Sequence, residues 1–237
     1  MQYDAVIFDL FGTLVPSMEG DAYEDSIHRT GIAAGAEPGA FLRVWIEPEL
    51  AQRRMTGRFR TQADGIREVC RRLGFEPEED AVRQAAIVRA NFLRGFLFPR
   101  QDTLDTLRRI KEAGLKLGLM SACSPDTPPL WVETPMAPFF DATLLSCEVG
   151  VNKPDPRFYR MACERLGVTA GRCLYVGDGA GHELTGARDA GMHPVLICPP
   201  GEEPFILTRD GVRDWGGPRL RSLSGVLDLL GLGREDR

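Results

Sequence analysis

Residues 4–10 read DAVIFDL, a short apolar run ending on a carboxylate, and FGTL at 11–14 follows at once. A continuous apolar run of this length, bounded by a turn residue at Gly12, predicts a strand buried on both faces of a parallel sheet. The pattern then changes. Residues 17–98 carry helical periodicity, as in GAFLRVWIEPEL at 39–50, GIREVCRRLGF at 65–75 and DAVRQAAIVRANFLRGF at 80–96, with no convincing strand among them.

Alternation begins after Pro99. DTLDTLRRIKEAG at 102–114 predicts a helix stopped by Gly114, and LKLGLMS at 115–121 a strand. ATLLSCEVG at 142–150 predicts another strand, and DPRFYRMACERLG at 155–167 a helix with Pro156 in its first turn. RCLYVGD at 172–178 and HPVLICPP at 193–200 read as strands around a helix at 181–191, GHELTGARDAG. LRSLSGVLDLLGLG at 220–233 reads as a closing helix. Strands alternating with helices predict an α/β fold, a doubly wound, Rossmann-like parallel sheet. On this reading residues 1–16 and 99–237 form the core, and residues 17–98 are an inserted all-helical cap domain. The prolines at 125, 128, 129, 135 and 138 predict a rigid, irregular loop behind a strand's carboxyl end.

Composition narrows the function classes. The chain has 237 residues, enough for a full core, and a net charge of −5, which argues against a general nucleic-acid binder. It has no apolar run of membrane-spanning length and no signal-peptide pattern at its start, so no membrane and a cytoplasmic location are expected. Six cysteines without CxxC spacing offer neither a zinc ribbon nor a redox pair motif, and read as small buried hydrophobes. Basic charge is almost all arginine; the lysines are Lys111, Lys116 and Lys153.

In a parallel sheet the strands' carboxyl ends share one edge, where ligands bind. Asp9, Ser121 and Asp178 end three predicted strands, and Lys153 precedes a predicted helix, so the fold gathers them in one crevice. The set has a chemistry. A carboxylate can attack phosphorus, a hydroxyl and an ammonium can hold phosphoryl oxygens, and a second carboxylate can hold Mg²⁺ beside the first.

Four segments resemble, in order and at family-like spacing, the motifs of the haloacid-dehalogenase superfamily: DLFGTL at 9–14, MSA at 120–122, NKPDP around Lys153, and GDGAGHELTGARDAGM at 177–192. The helical insert is similar to that of members with a C1-type cap. The resemblance implies a Mg²⁺-dependent hydrolase, with Asp9 as nucleophile and Ser121 and Lys153 holding the phosphoryl group. It implies metal ligation by Asp9, the Phe11 carbonyl, Asp178 and, through water, Glu183. Gly12, Thr13 and Ala122 join Ser121 and Lys153 as the implied substrate-binding set, Thr13 also supporting the nucleophile loop. The implied partner is a small phosphorylated substrate; oligomeric state is left open.

Two positions depart from the pattern. Most phosphatases of the family carry a general acid two places after the nucleophile, where this chain has Phe11, and an Asn or Asp where it has Ala122. Two alternatives therefore stay open: a 2-haloacid dehalogenase-like hydrolase, and a catalytically impaired binding protein on the same fold. The retained Gly177–Asp178 pair favours phosphorus over halide. A phosphonatase is excluded, since that group uses a cap lysine and residues 17–98 contain none.

Each residue also has a plainer reading: Asp9 as a turn residue, Lys153 as a surface lysine, Asp178 as a helix cap, Glu183 as a first-turn charge on a helix dipole. His182 reads as a helix-surface histidine, and nothing draws His28 to the site. Arg53, Arg54, Arg58 and Arg60 read first as a solvated helix end and second as a contact to a substrate anion.

Overall fold

The computed structural model describes residues 2–18 and 20–233. Residues 1 and 234–237 of the expected core, and residue 19 of the expected insert, lie outside them. The chain opens with β1, Ala5–Phe8, every residue of it buried. Among the described residues six α-helices precede the next strand, the first five being α1 Asp21–Ala33, α2 Pro38–Trp45, α3 Pro48–Met55, α4 Gln62–Arg72 and α5 Glu79–Phe96. Then come α6 Thr103–Glu112, β2 Lys116–Ser121, α7 Thr127–Trp131, β3 Ala142–Leu145, α8 Ser146–Val149, α9 Pro156–Leu166 and β4 Cys173–Gly177. The remaining elements are α10 Glu183–Asp189, β5 His193–Ile197, α11 Glu203–Ile206, β6 Arg219–Leu220 and α12 Gly225–Leu229.

The described strands form one six-stranded sheet in the order β3-β2-β1-β4-β5-β6, and each pairing is parallel. Strand β1 is central, hydrogen-bonded to β2 and to β4, which explains its unbroken apolar run. The period of two divides the core. Val6 and Phe8 face one layer with Leu117, Leu119 and Val176, packed under α6 and α12. Ala5 and Ile7 face the other with Met120, Leu144 and Tyr175, packed under α9 and α10. The helical insert carries its own apolar cluster around Phe41, Trp45, Ile66 and Val82, while Leu93 and Leu97, at the end of α5, join the sheet's first layer.

Four local expectations are corrected. The 142–150 segment is not one strand: β3 stops at Leu145, and α8 turns the chain into the left-handed Gly150. The Ser146 hydroxyl, which accepts the Cys123 N–H at 3.0 Å, ties that turn to the end of β2. The closing segment splits into β6 and the short α12, because Leu220 adds an edge pairing in which the Cys198 N–H reaches its carbonyl at 2.8 Å. The proline-rich loop contains α7 and a 3-10 turn at Ala137–Phe139, since proline suits a helix's first turn. The fourth-motif helix begins at Glu183 rather than Gly181, behind a left-handed His182 (φ 58°).

Candidate active site

Strand ends place the site residues. Asp9 follows β1, Ser121 ends β2, and Asp178 follows β4, so three adjacent strands deliver them to one edge. Lys153 lies on the segment leading to α9, and Glu183 opens α10. All five are buried. The Lys153 ammonium is the hub: it lies 2.5 Å from Asp9 Oδ1, 2.5 Å from Glu183 Oε2 and 3.2 Å from the Tyr175 hydroxyl. Carboxylate oxygens of Asp9, Asp178 and Glu183 come within 4.8 Å of one another.

The surroundings fix these groups. Thr13 donates its hydroxyl to Asp9 Oδ2 at 3.1 Å, which holds the carboxylate's rotamer. The Arg100 guanidinium donates to the carbonyls of Thr13 at 2.9 Å and Gly12 at 3.0 Å, clamping the loop that carries both. Gly12 is required twice over: its φ is +79°, and a Cβ there would stand 1.9 Å from Asp178 Oδ2. Glu183 accepts the Tyr175 hydroxyl at 2.7 Å and the Gly179 N–H at 2.9 Å. The Ala180 N–H donates to Asp178 Oδ1 at 3.0 Å, and Arg209 Nη1 lies 2.5 Å from Asp178 Oδ2. Phe11 and Ala122 are half-buried beside this cluster in sequence, while Ser121 Oγ is fully enclosed with no hydrogen-bond partner.

Carboxyl groups taken out of water resist ionisation, and Asp9 and Asp178 do so here. Burial pushes Asp9 up to about 8; Lys153 opposes the rise, and Glu183 and Asp178 add to it. Burial and Glu183 likewise raise Asp178 to about 6, against the pull of Arg209. Burial would discharge Lys153, but the facing Asp9 and Glu183 carboxylates hold it above its ordinary value, so it stays an ammonium. The formal charges are three carboxylates against Lys153 and Arg209, a pocket short of one positive charge.

Several contributors had no signal in the sequence. Arg209, Tyr175 and Arg100 reach the site from a loop, a strand interior and the segment just past the insert, and none belongs to a motif. Of the arginines at 53, 54, 58 and 60, Arg58 and Arg60 are exposed and Arg53 pairs with Glu68 at 2.9 Å, whereas Arg54 is buried rather than solvated. His182 is exposed but sits in the turn before α10 rather than on its surface. His28 lies in α1, with Glu37 of the same insert in its electrostatic reach.

The family model of haloacid dehalogenase-like hydrolases matches residues 3–191, and the chain belongs to that family. It is a hydrolase by that membership. A glyceraldehyde 3-phosphate phosphatase of Methanopyrus kandleri is 29% identical, over 81% of this chain and 83% of the relative. An (S)-2-haloacid dehalogenase of Pseudomonas putida is also 29% identical, over 74% of this chain and 76% of the relative. The crystal structure of a phosphatase of the family from Thermococcus onnurineus superposes with a TM-score of 0.67 at 20% identity, covering 98% of this chain and all of that one, which shows a shared fold. Among the described residues no helix is long and apolar enough to cross a membrane.

Proposed function

We propose that this chain is a metal-assisted phosphatase of a small phosphate monoester or anhydride, acting through a phosphorylated Asp9, with residues 17–98 as its cap over a core of 1–16 and 99–237. The observation that carries this reading is the triad of buried carboxylates converging within 4.8 Å on one edge of the sheet, beside a buried hydroxyl that has no partner. Enclosed hard oxygen donors suit Mg²⁺, and the missing Cβ at Gly12 leaves Asp178 the space to approach. Asp9, Asp178 and the Phe11 carbonyl would hold the ion, with Glu183 acting through water. Bound there, it would neutralise charge between the carboxylates and the phosphoryl oxygens.

The residues supply the rest. An Asp9 oxygen attacks phosphorus, the bond to the leaving oxygen breaks, and that oxygen takes its proton from water, because Phe11 has none to give. Ser121 donates its free hydroxyl to a phosphoryl oxygen and Lys153 offsets the charge of another. Gly12, Thr13 and Ala122 frame the same group. Water then cleaves the acyl phosphate and restores Asp9. The names of the Methanopyrus relative and of a Thermus thermophilus phosphoserine phosphatase, 33% identical over 56% of this chain and 52% of that relative, support a small phosphorylated substrate.

A second reading, a metal-free 2-haloacid hydrolase, is favoured by one observation: Arg209 already neutralises Asp178. The two separate in one screen of phosphate esters and 2-haloacids, with Mg²⁺ and with excess EDTA. The phosphatase reading expects phosphate release that needs Mg²⁺ and vanishes in Asp9→Asn. Halide release in EDTA with no phosphate ester turned over would overturn it.

A further inference from the structure

Every buried, formally charged residue among the described residues falls into one of two groups. One is the site above: Asp9, Lys153, Asp178 and Glu183. The other is Arg54, Arg89 and Asp126, which are 4%, 3% and 6% exposed. Asp126 belongs to the sheet domain and lies five residues past Ser121, while the two arginines come from α3 and α5 of the insert. The second group therefore joins insert and sheet, its carboxylate carried on the loop that follows the strand ending in Ser121.

This group is unbalanced in charge and in hydrogen bonds. Two guanidiniums and one carboxylate leave a net buried charge of +1, with Arg54 Nη2 donating to the Trp45 carbonyl at 2.7 Å and Arg89 Nη1 to Ser26 Oγ at 2.9 Å. Arg89 Nη2 is 3.5 Å from Asp126 Oδ2, an ion pair without a hydrogen bond. Arg54 Nη1, Arg89 Nε and Asp126 Oδ2 are all enclosed and unpartnered. Both guanidiniums lie against the Trp45 ring, at 4.0 and 5.6 Å from its centroid. Gln62, also buried with both amide atoms unpartnered, opens α4, where a Cβ on Gly65 would stand 3.5 Å from the Arg54 side chain. Burial depresses the Arg54 guanidinium to about 10, with Tyr23 and Asp126 opposing the fall and Arg89 adding to it.

A buried cation with free N–H groups is costly unless an anion meets it. An aromatic floor under two planar guanidiniums supplies cation–π attraction but accepts none of those hydrogen bonds. Their remaining donors point to planar or tetrahedral oxyanions, which arginine binds through paired N–H groups.

We infer that Arg54 and Arg89 form a second anion site, which binds a carboxylate or second phosphoryl group at the far end of the substrate, while the first phosphoryl group sits at Asp9. The inference deepens the phosphatase reading and rests on it for the identity of the first group. Because both guanidiniums are enclosed, the ligand reaches them when the insert parts from the sheet, and binding draws the two together. Asp126 competes with the ligand for Arg89, so it sets the affinity.

Calorimetric titration of the full chain carrying Asp9→Asn, which stops turnover, tests this with matched ligands. Phosphoglycolate carries a carboxylate, ethyl phosphate a methyl in its place, and propane-1,3-diol bisphosphate a second phosphoryl group. Arg54→Met or Arg89→Met should weaken phosphoglycolate by roughly ten- to a hundred-fold, the range for hydrogen bonds to charged groups, and leave ethyl phosphate within about threefold. Arg54→Lys should restore only part of the loss. Asp126→Asn should shift affinity the other way, tightening phosphoglycolate, a gain that a merely structural role would not produce. The bisphosphate arm tells which anion the site prefers. Equal weakening of phosphoglycolate and ethyl phosphate, or no binding of phosphoglycolate, overturns the inference. Phosphoglycolate that binds with this arginine dependence while the wild type, with Mg²⁺ present, releases phosphate from no ester or anhydride, aryl and acyl phosphates included, sinks the phosphatase reading and leaves the anion site standing.

Discussion

Arg209 and Asp178 are joined twice: Arg209 Nη1 lies 2.5 Å from Asp178 Oδ2 and also donates to its backbone carbonyl at 3.1 Å. Arg209 Nη2 reaches Ser17 Oγ at 3.3 Å, so one guanidinium links a proposed metal ligand to the segment leading into the insert. A fixed cation at this point opposes a second one. At an effective dielectric of about 20, charges several Å apart still interact by a few kcal/mol. Arg209→Met should therefore tighten Mg²⁺ binding by about tenfold in a calorimetric titration of the full chain. Unchanged or weaker binding would mean that Arg209 holds Asp178 in its binding pose rather than competing for it.

Metal affinity should also follow pH. Asp9 is raised to about 8 and Asp178 to about 6, chiefly by burial, so the metal-free site carries protons near neutrality. A raised carboxyl favours the folded state most below its unfolded value of about 4 and loses that contribution as pH rises through the folded value. A bound cation reverses the preference, because it requires the ionised form. Mg²⁺ binding should release protons and strengthen steadily from pH 6 to pH 8. Titrations in two buffers of different ionisation enthalpy would measure the release, and no buffer dependence at pH 7 would contradict it.

Phe11 stands two residues past Asp9, where a proton donor for the leaving group is missing. A positioned acid typically contributes about 10²–10⁴-fold. Aryl phosphates, acyl phosphates and anhydrides, whose leaving groups need no proton, should outrun alkyl phosphates by a comparable margin. Phe11→Asp should raise kcat/KM most for alkyl esters and least for aryl ones. Wild-type rates on alkyl esters that ignore leaving-group pKa would point to another donor. A folded Phe11→Asp enzyme with no gain on any alkyl ester would show that proton donation does not limit turnover.

The alternation of elements and the gathering of Asp9, Ser121, Lys153 and Asp178 at one edge were legible before any coordinates, because strand patterning is local and a parallel sheet sends its carboxyl ends to one edge; Glu183 was reached only through the resemblance of the fourth segment. The division of a nine-residue apolar segment into β3 and α8 was not, since a short run does not distinguish a strand from a strand and a turn of helix. Tertiary structure alone decided which charges meet. Arg209 is 31 residues from Asp178, Arg89 is 37 from Asp126, and Arg54 is enclosed although the flanking Arg53 and Met55 are only half-buried. Motifs record residues that one segment must present together. Pairing across the seam between insert and sheet depends on how two separately patterned units pack, and no periodicity within either unit encodes the partner's charge.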